Sequence, residues 1–289
     1  MIAPRLFCRL LLAASLLAVV AAQAQTAKPK WARYSLRAEQ TWQLDLPQDR
    51  RFDASGLLLS ADGSLFTLND RGAALYRISF CSGEHSAGLV LLSNVFTQTQ
   101  LAPWAAEKTG RYDCEGIACD EQGRLYVCEE ADRWVLRCDP ANGRVERLDI
   151  DWTPVQKYFS RDRNASFEGI AIGGGKLYLA NERETARIIV VDLKTLKVID
   201  HFKVFPRGRA AIDLNYSDLS WFDGALFVLL RESYMVLKVD PTTHEVVTEY
   251  DYRQVENAPS VAYHKKYPTG TMEGLAVDRD YIWLVTDNN

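Results

Sequence analysis

Short apolar runs of strand length alternate with turn residues along the 289-residue chain. The clearest is Phe167-Glu168-Gly169-Ile170-Ala171-Ile172, then Gly173-Gly174-Gly175, then Lys176-Leu177-Tyr178-Leu179-Ala180-Asn181-Glu182-Arg183. This pattern predicts two strands joined by a glycine turn, with a carboxylate at the start of the first and another just past the second. Antiparallel pairing brings those two ends to one edge of the sheet. Cys114-Glu115-Gly116-Ile117-Ala118 leads likewise into Leu125–Glu130, and Met272-Glu273-Gly274-Leu275-Ala276 into Ile282–Asp287. Weaker copies begin at Ala54-Ser55-Gly56-Leu57, ending in Asn69-Asp70, and at Tyr216-Ser217-Asp218-Leu219, ending in Leu230-Arg231.

The spacings between Ser55, Glu115, Glu168, Ser217 and Glu273 are 60, 53, 49 and 56 residues. Repeats of this length with four strands each are the mark of propeller blades. Two further strands follow the middle copies, as in Ile188–Asp192 with Lys197–Phe202 and Val236–Asp240 with Glu245–Tyr250. The last repeat has only two strands, and two orphan strands, Tyr34–Arg37 and Thr41–Leu46, precede the first. Joining them predicts an all-β propeller of five blades, closed by the N-terminal strands so that no sheet edge is left open. Six blades is the alternative, because Thr97–Arg111 lengthens the first period.

In such a blade the start of the innermost strand and the end of the second emerge on one face. The first-strand positions and Asp70, Glu130, Glu182, Arg231 and Asp287 are therefore expected around one mouth of a central channel. The long connections Thr97–Asp113, Trp152–Ser166, Phe205–Tyr216 and Arg253–Thr271 open there too, and long loops gathered on one face usually carry function.

The N-terminus changes the picture of where the chain works. Arg5 and Arg9 flank a basic region, Leu10–Ala22 is small and apolar, and Ala22-Gln23-Ala24 ends it. This reads as a signal peptide over residues 1–24, followed by one domain over 25–289, exported to a periplasm or secreted. The apolar run is shorter than the ~18 residues a membrane span needs, so no span remains after cleavage. With 34 basic and 38 acidic residues and a net charge of −4, nucleic acid is not an expected partner. A monomer with a small-molecule or protein ligand at the channel mouth is expected. Five cysteines follow the signal without any Cys-x-x-Cys spacing, which argues against zinc. Cys138 reads as a core residue, and Cys114 with Cys128 is the favoured disulfide.

Three glutamates around a narrow channel repel. At about 6 Å and an effective dielectric of about 20 each pair costs roughly 3 kcal/mol. Glu115, Glu168 and Glu273 are therefore candidate ligands of a cation, and all-oxygen donors favour calcium over zinc. The alternative is that each caps its own blade, with Arg71, Arg183 and Arg231 balancing charge.

The Phe-Glu-Gly-Ile-Ala and Met-Glu-Gly-Leu-Ala motifs resemble the SdiA-regulated and phytase-like esterase propeller families. Asn69-Asp70-Arg71-Gly72, Asn181-Glu182-Arg183 and Thr286-Asp287-Asn288-Asn289 add to the resemblance, which covers the whole chain after the signal. It implies an exported propeller with calcium at the channel and an ester or phosphoester substrate. Ser55, Ser217 and Arg231 depart from the pattern, so a fully symmetric site is not expected. Neither a Gly-x-Ser-x-Gly elbow nor a His-Glu-x-x-His motif is present. His264, in the last long loop, is the one histidine placed to reach the mouth, either as a general base or as a solvated loop residue. Trp104, Trp152, Tyr158 and Tyr263 either line a pocket or pack the loops down. Two functions stay open: a metal-dependent hydrolase, or a non-catalytic binding propeller with a structural cation.

Overall fold

The computed structural model describes residues 31–45, 52–81, 83, 85–208, 214–258 and 271–286. In chain order the strands are β1 (Ala32–Ser35), β2 (Gln43–Asp45), β3 (Ala54–Leu59), β4 (Leu65–Asn69), β5 (Leu75–Phe80) and β6 (Ser86–Leu91). Next come β7 (Cys114–Cys119), β8 (Leu125–Glu129), β9 (Trp134–Asp139), β10 (Arg144–Arg147), β11 (Phe167–Gly173), β12 (Lys176–Asn181), β13 (Arg187–Asp192) and β14 (Lys197–Phe202). The series ends with β15 (Tyr216–Phe222), β16 (Ala225–Leu230), β17 (Met235–Val239), β18 (Val246–Asp251), β19 (Met272–Val277) and β20 (Ile282–Thr286). They form five antiparallel meanders, β3–β6, β7–β10, β11–β14, β15–β18 and β19–β20, in a β-propeller arrangement.

The core lies between neighbouring sheets, because alternate residues of a strand face opposite ways. In β13, Ile188 and Val190 pack toward β15–β18 while Ile189 and Val191 pack toward β7–β10. The same division gives one apolar cluster at each of five sheet-to-sheet junctions, the last joining Leu57 and Leu89 to Ala276 and Trp283. Sheets buried on both faces account for the near-continuous apolar runs of the sequence.

The N-terminal strands do not pair with β20 as expected. Instead β1 adds to β18 and β2 adds, in parallel, to β6. Between them the chain runs beside the last hairpin: Leu36 packs against the same apolar cluster as Ile282 and Leu284, and Trp42 stacks on Trp283 at 6.2 Å. The β20 flank is thus covered by side chains, and the hydrogen bonds go to the neighbouring sheets.

The expected Cys114–Cys128 bridge is also absent, and all five described cysteines are free thiols. A bulge is responsible: Cys114 faces Glu129 across the hairpin, while Cys128 faces Gly116. The same skip recurs in every innermost strand, between Ala54 and Leu57, Cys114 and Gly116, Phe167 and Gly169, Tyr216 and Asp218, and Met272 and Gly274. Each bulge sits at the Ser55, Glu115, Glu168, Ser217 or Glu273 position. Bulges re-aim a side chain while the ladder continues beyond them.

The residue after each bulge is where the innermost strands meet. A Cβ on Gly116 would lie 2.8 Å from the Ile170 backbone nitrogen, and one on Gly169 would lie 2.5 Å from the Asp218 Cα. Only glycine permits backbones that close. The fourth repeat carries Asp218 here, fully buried. Its carboxylate accepts the N–H of Leu275 at 2.7 Å, Leu219 at 2.8 Å and Leu57 at 3.2 Å, and also that of Ile170. One side chain therefore ties four innermost strands together beneath the glutamates.

A candidate acidic site at the channel mouth

Above Asp218 opens a cavity of about 300 Å³ lined by Ser55, Glu115, Glu168 and Glu273, and by Asp70, Glu130 and Arg231. These first- and second-strand positions thus share one mouth, whereas Ser217 and Glu182 do not line the cavity. Two carboxylates outside the sequence-based set, Asp53 and Asp113, line it as well. They stand two residues before Ser55 and Glu115, in a column continued by Ser166, Asn215 and Thr271. That uniformly polar column was the available signal. Its backbone makes the same bond in successive repeats, where the carbonyls of Asp53, Asp113 and Ser166 accept the N–H of Asp70, Glu130 and Glu182. This bond fixes where each second-strand carboxylate leaves the sheet.

The carboxylates are not evenly spread. Oxygen atoms of Asp113, Glu115 and Glu130 lie within 4.8 Å of one another, and so do those of Glu130, Glu168 and Glu182. Glu130 belongs to both groups. Glu273, expected beside Glu115 and Glu168 as a third ligand, is instead paired with Arg231 Nη1. Arg231 Nη2 donates to Glu182 Oε1 at 2.6 Å, and Arg183 Nη1 donates to Glu182 Oε2. Arg71 Nε donates to the buried Asp53 at 2.6 Å. The arginines do balance charge, as in the blade-capping alternative, but they serve only part of the ring. Among the described residues no lysine, arginine or histidine nitrogen is ion-paired with Asp113, Glu115, Glu130 or Glu168.

Glu115 accepts the Ser55 hydroxyl at 2.6 Å, and Glu130 accepts the Ser166 N–H at 3.2 Å. These bonds do not offset burial and mutual repulsion. Desolvation, then Glu130, pushes the Glu115 carboxyl well above its usual range, and desolvation, then Glu182, does the same to Glu168. Burial also raises Glu130 to about 8, against the bonds it makes to Ser166 and Glu168. Asp70 rises to about 6 through desolvation and its neighbours Asp53 and Asp113. Such a well either holds protons near neutral pH or holds a cation. Its donors are all carboxylate oxygens, closely spaced and largely buried, which fits a hard divalent ion.

The mouth-loop aromatics pack. Trp152 lies on Phe159 and Phe167, Tyr158 on His201, and Trp104 joins the apolar cluster between the first two sheets. Asp287, His264 and Tyr263 lie outside the described residues, as does the expected signal segment. No helix among the described residues is long and apolar enough to cross a membrane.

Sheets arranged radially about a carboxylate-lined well define a β-propeller with an acidic channel mouth. Residues 53–289 match the Phytase-like family, described as "Esterase-like activity of phytase", and the chain belongs to that family. Glutaminyl cyclase from Myxococcus xanthus has a similar structure, with a TM-score of 0.61 at 17% identity over 89% of this chain and 94% of that one. Virginiamycin B lyase from Staphylococcus aureus aligns with a TM-score of 0.45 at 13% identity, over 82% of this chain and 64% of that one. Among curated proteins no sequence matches the chain.

Proposed function

We propose that the protein is an exported five-bladed propeller that hydrolyses an ester or phosphoester at the acidic mouth, with calcium held by Asp113, Glu115 and Glu130. The five sheets count as five blades when the β19–β20 hairpin, flanked by the N-terminal segment, is taken as one. The observation that carries the reading is the pair of carboxylate groups sharing Glu130 at one cavity, which all of them but Glu182 line. When bound, the ion would polarise the substrate oxygen and make a bound water more acidic.

The chain's own residues have separable roles. Glu168 lies beside Glu130, and burial, then the neighbouring Glu182, raises its carboxyl well above the usual range, the direction a general acid for a departing alkoxide requires. Arg71 and Arg111 line the same cavity and suit the orientation of an acidic substrate group. Family membership supports the ester class; the burial of the carboxylates supports proton handling.

The test is a panel of aryl esters and phosphate monoesters offered to the full chain, to Glu168→Gln and to Glu115→Gln, each with calcium and with chelator. Turnover that needs calcium and falls at least about 100-fold in Glu168→Gln is expected for loss of a general acid. Calcium binding without turnover of any substrate would favour the non-catalytic binding propeller.

A further inference from the structure

Arg231 stands where the other four repeats carry Asp70, Glu130, Glu182 and Asp287. Its guanidinium is held from two sides, by Glu273 and by Glu182, and only 18% of the side chain is exposed. Glu168 adds to the electrostatic attraction on it. Both Glu182 oxygens are engaged, one by Arg231 and one by Arg183. Across the well, no described cation is ion-paired with Asp113, Glu115 or Glu130, which are met by the Ser55 hydroxyl and the Ser166 N–H, while Arg111 acts on Asp113 from the cavity wall without pairing to it. The ring is therefore split into a half already neutralised and a half that is not.

We infer that Arg231 is a specificity-determining residue: a tethered cation that fills the Glu182–Glu273 side of the well and confines an exchangeable divalent ion to the Asp113–Glu115–Glu130 side. This rests on the reading that the well takes calcium. A guanidinium suits this role because it stays charged at every accessible pH and its planar fork reaches two carboxylates at once. A compact ion free to exchange would settle among whichever carboxylates lack a counter-charge. Removing Arg231 takes one positive charge from among Glu168, Glu182 and Glu273, while Arg183 keeps its bond to Glu182, and opens room there for a second ion.

The experiment is calorimetric titration of chelator-stripped full chain with calcium chloride, for the natural sequence, Arg231→Gln and Glu273→Gln. The expected result is one ion for the natural sequence and two for Arg231→Gln, with millimolar guanidinium competing only for the second. Glu273→Gln is expected to bind one ion with nearly unchanged affinity, because Glu273 partners the arginine rather than the ion. One ion in both the natural chain and Arg231→Gln overturns the inference and leaves the calcium reading standing. No ion in the natural chain overturns both the calcium reading and the confinement, whatever Arg231→Gln binds. If Arg231→Gln does not fold, Glu273→Gln decides: a loss of about 10-fold or more in affinity, the scale seen when a metal's supporting groups are removed, places the ion against Glu273 and refutes the partition.

Discussion

Replacing Glu130 with glutamine removes one ionisable group yet keeps an oxygen to accept the Ser166 N–H. In the folded chain burial lifts this carboxyl from 4.5 to about 8, with Glu182 and Asp113 adding to the rise. The folded state therefore holds a proton that the unfolded chain releases above pH 4.5. Stability present below that pH is lost as pH climbs through about 8. A displacement of this size corresponds to a loss on the order of 5 kcal/mol. That is a large part of the ~5–15 kcal/mol available to a domain. Urea unfolding followed by tryptophan fluorescence, in chelator, should show the natural chain weakening from pH 5 to pH 8.5. Glu130→Gln should weaken less and be the more stable of the two at the alkaline end. The variant's profile should still slope, because Glu115 and Glu168 are displaced in the same direction. Calcium at a hundredfold excess over its dissociation constant should return about 2.7 kcal/mol to the natural chain at pH 8. It should return little to Glu130→Gln. Parallel profiles for the two proteins, with equal gains from calcium, would refute the reasoning.

Asp218→Ala leaves at least three buried N–H groups without their acceptor, at about 1–3 kcal/mol each. Its melting temperature should fall further than that of Asp218→Asn, which keeps one oxygen; equal losses would mean the carboxylate is not the tie. Gly169→Ala drives a Cβ into the Asp218 backbone, and overpacking of this kind costs roughly 1–3 kcal/mol or more in a urea titration. A neutral effect there would mean the innermost strands part freely.

Much of the architecture was legible because one motif recurs. The hairpins, the outer strands and the shared mouth follow from where Glu-Gly and Ser-Gly fall and from strand direction. What failed had a tertiary cause. The strands β1 and β2 carry no mark of which sheet edge they join, and the side chains of this segment do lie beside β20, as closure of the ring requires. The Cys114–Cys128 pairing assumed a regular ladder, whereas the bulge at Glu115 shifts it by one residue. In sequence Asp218 reads as a decayed copy of glycine, yet it supplies the acceptor that the glycine repeats lack. Equivalent positions also suggested equal roles for Glu115, Glu168 and Glu273. Arg231 breaks that equivalence, since a single cation in the fourth repeat takes Glu273 and Glu182 out of the pool.

On the proposed function, the channel mouth holds a divalent cation among Asp113, Glu115 and Glu130. Crystals of the full chain grown with calcium, with anomalous scattering recorded at a long wavelength, test it most directly. The account predicts one anomalous peak at coordination distance from those three carboxylates, about 2.3–2.6 Å for calcium, and none between Glu182 and Glu273. A mouth without a peak at saturating calcium, or a peak centred on Glu273, would contradict it.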